Sequence, residues 1–153
     1  MDKGVKVYLG SDHAGFAVKE KLKKFLDKKK INYEDLGASS YEKKDDYPKF
    51  AFEVGEKVAK DKESRGILVC GSGAGMTIAA NKVRGVRAVA AYDEYSARMS
   101  REHNDTNILG LRGRNFPFDK IKKIVSIWLK TKFSKGKRHI RRIKKISHYE
   151  NEK

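Results

Sequence analysis

Short apolar runs alternate with amphipathic stretches from one end of the chain to the other. Val5-Lys-Val-Tyr-Leu9 favours a strand and ends at the polar turn Gly10-Ser-Asp-His-Ala-Gly15. Val18, Leu22, Phe25 and Leu26 then share one helix face until Lys28-Lys-Lys30 ends the pattern. Ile31 to Leu36 reads as a second strand closed by Gly37, and residues 38–46 are polar and turn-like. Tyr47-Pro48 opens a helix with Ala51, Val54 and Val58 facing inward. Ile67-Leu-Val69 is a short continuous apolar run, as a parallel strand covered on both faces should be. Val86 to Ala91 is strand-like, and Asp93 stands as N-cap of a helix through Tyr95 and Met99 that His103-Asn-Asp-Thr-Asn107 breaks. Ile108 to Leu111 is a last strand, and Phe116-Pro117 opens a helix in which Ile121, Ile124, Val125, Trp128 and Leu129 recur at three and four residues. Trp128 reads as core.

Five strands alternating with helices predict an α/β three-layer sandwich, a five-stranded parallel Rossmann-like sheet with right-handed crossovers. Ligands gather at the carboxyl edge of such sheets. Asp12-His13, Cys70 to Gly75, the segment leading into His103-Asn104, and Arg114 are expected there.

The stretch Gly66 to Asn81 stands at the centre of this scheme: a buried strand, a turn with Gly71, Gly73 and Gly75, and a helix from about Thr77, with the single cysteine, Cys70, at the junction. Unpaired amides at a helix start favour anions, so a thiol there suits work as nucleophile or base beside an oxyanion hole. The alternative is a buried, inert thiol among glycines that merely allow tight packing. Familiar motifs do not fit. A dinucleotide fingerprint needs glycine, and a cysteine-dependent phosphatase needs arginine, where Met76 stands; no Gly-Lys-Ser/Thr of a Walker loop follows.

At 153 residues the chain suits one domain, expected over residues 1–133, with a basic helix or tail over 134–153. The formal charge of +16 favours anionic partners. One cysteine permits no internal disulfide, no apolar run approaches membrane length, and Met1-Asp-Lys-Gly4 leads straight into a strand-like run rather than a signal peptide. A cytoplasmic setting is expected. In the tail, Ile140, Ile143 and Ile146 recur every three residues and call for a surface to bury against, such as a partner subunit. Arg138 and Arg142 share a helix face and could grip a phosphate or be solvated. His139 and His148 are read as structural or solvated, Tyr92 and Tyr95 as packing residues, and the lysines from Lys19 to Lys30 as mostly a solvated face.

These residues together resemble the ribose-5-phosphate isomerase B and galactose-6-phosphate isomerase family over nearly the whole chain. The landmarks are Gly10-Ser-Asp-His-Ala-Gly-Phe16 with Lys19, Asp46-Tyr-Pro48, Cys70-Gly-Ser-Gly-Ala-Gly75, Ala79-Ala-Asn-Lys82, Gly85-Val-Arg-Ala88, Ser100-Arg-Glu-His-Asn104 and Arg138-His-x-x-Arg142. Their shared order and spacing make the resemblance specific. It implies a homodimer with active sites shared across the interface, needing neither cofactor nor metal. By resemblance, Cys70 is the base that moves a proton between C1 and C2 of an open-chain aldose phosphate. The amides of Gly71, Ser72, Gly73, Ala74 and Gly75 stabilise the enediolate, and the Ser72 hydroxyl assists proton traffic. His103 matches the ring-opening acid, helped by Asp12. His13, Arg114, Arg138 and Arg142 match phosphate contacts, and Tyr47 and Asn104 match sugar contacts. His103 and Arg114 are expected to serve the neighbouring subunit. One branch of the family uses a glutamate where Met76 stands; this chain resembles the cysteine branch. Lys137 replaces the usual small residue before the tail's first arginine.

The expected reaction is therefore interconversion of ribose 5-phosphate and ribulose 5-phosphate. Six-carbon substrates, allose 6-phosphate or galactose 6-phosphate, are the nearer alternative. A nucleic-acid-binding role for the basic tail rests on charge alone, without the aromatic platform of single-strand binders.

Overall fold

The computed structural model describes residues 4–152. The opening Met1-Asp-Lys3 of the signal-peptide reading lies outside them. Five parallel strands, β1 (Val7–Ser11), β2 (Tyr33–Asp35), β3 (Arg65–Cys70), β4 (Ala88–Ala90) and β5 (Ile108–Arg112), lie in the order β2-β1-β3-β5-β4. The connecting helices are α1 (Phe16–Lys28), α2 (Tyr47–Lys60), α3 (Ala74–Ala80), α4 (Glu94–Asn104) and α5 (Phe118–Lys130), followed by α6 (Lys137–Asn151). Alternation of side chains across each strand divides the core. Val7, Leu9, Ile67, Val69, Leu109 and Leu111 face Leu22, Leu26, Ala97, Ile124 and Trp128 of α1, α4 and α5. Tyr8, Leu68, Cys70 and Ile108 face Ala51, Val54, Met76 and Ala80 of α2 and α3. The predicted three-layer sandwich is the observed one. Trp128 is buried and its indole N–H donates to Thr106 Oγ1 at 3.0 Å, as a buried ring requires.

The order reverses between β1 and β3, since β1 connects to β2 on one side and β3 lies on the other. That opens a crevice at their carboxyl ends. β1 extends past the predicted Leu9 because Ser11 exchanges backbone bonds with Gly37 O (2.8 Å) and Ala38 N (2.9 Å). Val5-Lys6 and Val86-Arg87 fall outside the strands assigned to them.

Lys19 corrects the picture of a solvated lysine face. It is fully buried, with Nζ bonded to Asp35 Oδ1 at 2.7 Å and to the Ala38 carbonyl. Asp35 also accepts from Lys23 at 3.0 Å and from the Gly37 amide at 2.9 Å. A buried ammonium needs this counterion and carbonyl. The group ties α1 and β2 to the start of the strap that leads to α2. These donors outweigh burial and hold the Asp35 carboxyl below its ordinary range.

Candidate active site

Cys70 is the last residue of the central strand, 4% exposed, with its side chain on the α2–α3 face. The chain then turns through Gly71 and Ser72 to Gly73, whose φ of +83° is the left-handed conformation that glycine adopts without strain. This turn aims the Gly73 N–H at Cys70 Sγ, 3.2 Å away. Such a bond strengthens as the sulfur gains negative charge. The helix begins at Ala74 rather than Thr77 and is only seven residues long. The amide aimed at the sulfur is therefore the direct influence, and the helix dipole a lesser one.

Neighbouring elements close around the turn. The carbonyls of Cys70 and Gly71 accept from the amides of Gly113 (2.8 Å) and Arg114 (3.2 Å), zipping the end of β5 to it. Arg114 Nη1 would stand 3.1 Å from a Cβ on Gly71, and Tyr47 Cζ 2.8 Å from one on Gly75. Arg114 thus lies against its own chain's turn. Ser72 is exposed; its Oγ accepts from the Ala74 amide at 3.2 Å.

Across the crevice, Asp12 follows β1 and caps the 3₁₀ turn His13–Gly15, its Oδ1 accepting from the Gly15 amide at 3.0 Å. Burial raises its carboxyl above the ordinary range, with the Gly15 amide opposing. His13 is held by Asp45, whose Oδ1 accepts from Nδ1 at 2.8 Å and from the backbone N–H at 3.1 Å. One ligand atom each from Asp12, His13 and Asp45 lies within 4.8 Å of the others, a spacing that a metal ion could span. Any ion there would compete with the bonds these residues already make. Asp12, His13, Tyr47, Cys70 to Gly75 and Arg114 thus form one cluster at the carboxyl edge.

His103 and Asn104 stand elsewhere. They do not break α4 but form its last two residues. Because α4 starts beyond the carboxyl end of β4 and runs back to the start of β5, they lie at the amino edge of the sheet. The cause is local: Asp105 takes φ +46° and ends the helix only after Asn104, while Arg87 Nε binds the Asn104 carbonyl at 3.0 Å. Here the tail meets the body. His139 is buried and its ring stacks on His103, with centroids 4.4 Å apart and planes 8° from parallel. Arg138 Nε approaches His139 Nε2 at 3.5 Å, and Arg138 and Arg142 are exposed on α6. Burial, then His103 and the two arginines, lower the His139 pKa. His139 is therefore not solvated, while His148 is exposed on the outer part of the helix.

Two expectations fail on burial. Tyr92 and Tyr95 are 43% and 72% exposed rather than packed. In the isoleucine stripe Ile140 and Ile143 are half-buried and Ile146 is exposed, so part of it is left open for a further surface to cover. Tyr92 has a partner that sequence patterning did not reveal: its hydroxyl donates to the Ser72 carbonyl at 2.8 Å, bracing the glycine turn from β4. Asp45 lies inside the polar run Glu42-Lys-Lys-Asp-Asp46, where no periodicity distinguishes it. It stands two residues before Tyr47, with the N-cap Asp46 between them, and this nearness to the Tyr-Pro helix start is its one local signal.

Comparison with known proteins places these residues in context. The sequence model of the family described as Ribose/Galactose Isomerase matches residues 7–146. The chain is 40% identical over 146 residues to ribose-5-phosphate isomerase B of Mycolicibacterium paratuberculosis, covering 95% of this chain and 92% of that one. Its fold is similar to that of Mycoplasma genitalium ribose-5-phosphate isomerase B, whose crystal structure holds ribulose-5-phosphate. The TM-score is 0.93 at 41% identity, over 98% of this chain and 99% of that one. The Clostridium thermocellum ribose-5-phosphate isomerase B matches with a TM-score of 0.91 at 44% identity, over 97% and 99% of the two chains.

Proposed function

The chain belongs to the ribose/galactose isomerase family, and from that premise we propose how its own residues carry out the reaction. It is an aldose–ketose isomerase that interconverts ribose 5-phosphate and ribulose 5-phosphate. The observation that carries the mechanism is the Gly73 N–H bonded to Cys70 Sγ at the floor of the β1–β3 crevice.

The furanose ring opens when His103 of a second copy protonates the ring oxygen and the anomeric hydroxyl loses its proton. Asp12 stands ready to receive that proton, since burial makes its anion the stronger acceptor. The Cys70 thiolate then takes the proton on C2. The C–H electron pair forms the C1–C2 double bond, and the aldehyde oxygen becomes the enediolate oxygen, facing the amides of the turn from Gly71 to Gly75. The Ser72 hydroxyl passes the O2 proton to O1. The Cys70 thiol returns its proton to C1, leaving ribulose 5-phosphate. Tyr47 and Asn104 hold the sugar, and His13, Arg114, Arg138 and Arg142 hold the phosphate.

The second copy is needed because His103, Asn104, Arg138 and Arg142 belong to the opposite edge from Cys70. We therefore read the enzyme as a homodimer in which residues 134–153 help complete the partner's site. The open face of α6 supports this, with a groove of about 820 Å³ lined by residues such as Ile140, Lys144 and Tyr149. The net charge of +16 draws in a phosphate dianion. A base that must remain a free thiol suits the reducing cytoplasm, and no helix of the described residues is long and apolar enough to cross a membrane.

The test is conversion of ribose 5-phosphate to ribulose 5-phosphate by wild type and by Cys70→Ala without added metal. Turnover by wild type alone supports the assignment. Equal turnover by both proteins refutes the thiol base.

A further inference from the structure

We infer that Asp45 is a positioning residue for the phosphate end of the site, acting through His13. The inference rests on the reading above that His13 meets the substrate's phosphate. Asp45 Oδ1 accepts both from His13 Nδ1, at 2.8 Å, and from the His13 backbone N–H, at 3.1 Å. One oxygen therefore fixes the ring relative to its own main chain. Tyr41 meets the same ring edge-on, with centroids 5.9 Å apart and planes at 85°. A neutral imidazole carries one proton, and a carboxylate at Nδ1 dictates which nitrogen holds it. With Nδ1 occupied, Nε2 is the ring nitrogen left for a ligand. In the imidazolium both nitrogens donate, and Asp45 is the counterion of the form that suits a phosphate oxygen.

The start of the strap does not depend on Asp45. Residues 36–38 are already tied by Ser11 N to Gly37 O (2.8 Å), Ala38 N to Ser11 O (2.9 Å) and Lys19 Nζ to the Ala38 carbonyl. Asp45 comes seven positions later. Its side chain is 11% exposed, and Oδ2 is buried without a hydrogen-bond partner. Leaving a carboxylate oxygen unsatisfied is unfavourable, so a carboxylate at this place is explained by the ring it holds. The adjoining residues extend the logic: Asp46 precedes α2, and Tyr47, its first residue, lies over Gly75. One short stretch thus sets a contact at the sugar end and another at the phosphate end.

The experiment compares wild type, Asp45→Ala and Asp45→Asn in three measurements: isomerase kinetics, competitive inhibition by inorganic phosphate, and ¹⁵N NMR of the His13 ring. In Asp45→Ala, KM for ribose 5-phosphate and Ki for inorganic phosphate should rise together by about tenfold, with kcat within about twofold. Asp45→Asn keeps an oxygen that accepts from Nδ1–H and should recover part of the loss, leaving a rise of about threefold. The NMR signal should report a proton on Nδ1 in wild type and its move to Nε2 in neutral His13 of Asp45→Ala. Unchanged KM and Ki in Asp45→Ala, or a fall in kcat at constant KM, would overturn the inference. Phosphate inhibition and the ring tautomer separate this result from the substrate assignment. If another sugar phosphate proves to be the substrate, both still support or refute the Asp45–His13 pair.

Discussion

The two edges of the sheet, to which the proposed mechanism assigns different halves of the same chemistry, are built differently. At the carboxyl edge, Cys70, Asp12 and Arg114 extend from β3, β1 and β5, the three central strands, and backbone bonds join the turns to one another. At the amino edge, His103 and Asn104 end a helix, and Arg138 and Arg142 ride on a tail helix held by a histidine stack and a few bonds, such as Ser134 N to Glu102 O at 3.1 Å. Four residue steps of β5, from Ile108 to Arg112, separate the two edges by about 13 Å. In the proposed mechanism the base is thus placed by the rigid core, and the acid by elements whose outer faces are open. On that proposal one chain has both halves of a site but cannot bring them together alone. Two copies related by a twofold axis can do so twice.

Complementation tests this division most severely. Cys70→Ala and His103→Ala should each lower kcat/KM by about a thousandfold, the effect of removing a general base or acid. Mixed in equal amounts, unfolded and refolded together, half of the dimers are mixed and each regains one intact site of two. Activity should return to about a quarter of wild type. A mixture as inactive as its components would show that acid and base do not come from different copies.

The same comparison explains what could be read from the sequence. The carboxyl edge was legible because its signals are local: an apolar run, glycines at Gly71, Gly73 and Gly75, and a capping aspartate at Asp93 whose side chain does accept from Ser96 N at 2.6 Å. The amino edge was not. Nothing in His103-Asn-Asp-Thr-Asn107 announces that Asp105 will take a left-handed conformation and let the helix run through Asn104. Lys19 looked like its lysine neighbours because its partner, Asp35, is 16 residues away. Asp45 and His13 are 32 apart, and the two rings of the His103–His139 stack come from different helices. Such pairs are formed by tertiary packing and leave no periodicity. Tyr92 reads as an ordinary aromatic beside a strand, and only the folded turn gives it a carbonyl to hold.

Rigidity at the carboxyl edge should appear as intolerance. A Cβ on Gly15 would lie 2.1 Å from the Val69 carbonyl oxygen, in the backbone of the central strand. Gly15→Ala should cost about 2–3 kcal/mol and lower Tm by roughly 5–10 °C in a thermal melt. Arg141 on the exposed side of α6 offers the contrast; Arg141→Ala should stay within about 0.5 kcal/mol of wild type. If the two variants melted alike, the claim that the edges differ in rigidity would fail.

For the phosphate end, Arg142→Ala should raise KM for ribose 5-phosphate by about tenfold with kcat nearly unchanged, as loss of a contact made equally in ground and transition states does. An unchanged KM would return Arg142 to solvent and weaken the assignment of the tail to the partner's site.

The smallest effect tests whether the turn is rigid by itself or needs bracing from β4. Tyr92→Phe removes one hydroxyl, and with it the 2.8 Å bond to the Ser72 carbonyl, without changing the size of a side chain that is already 43% exposed. Losing one such bond is worth about 0.5–1.5 kcal/mol. If the bond aligns Ser72 and the following amides with the enediolate, the loss falls on kcat, by about threefold, and leaves KM and Tm nearly unchanged. If the turn is held entirely by Gly113 and Arg114 from β5, kcat is unaffected. The bracing would then lie on one side of the turn only, with Tyr92 a bystander at its rim.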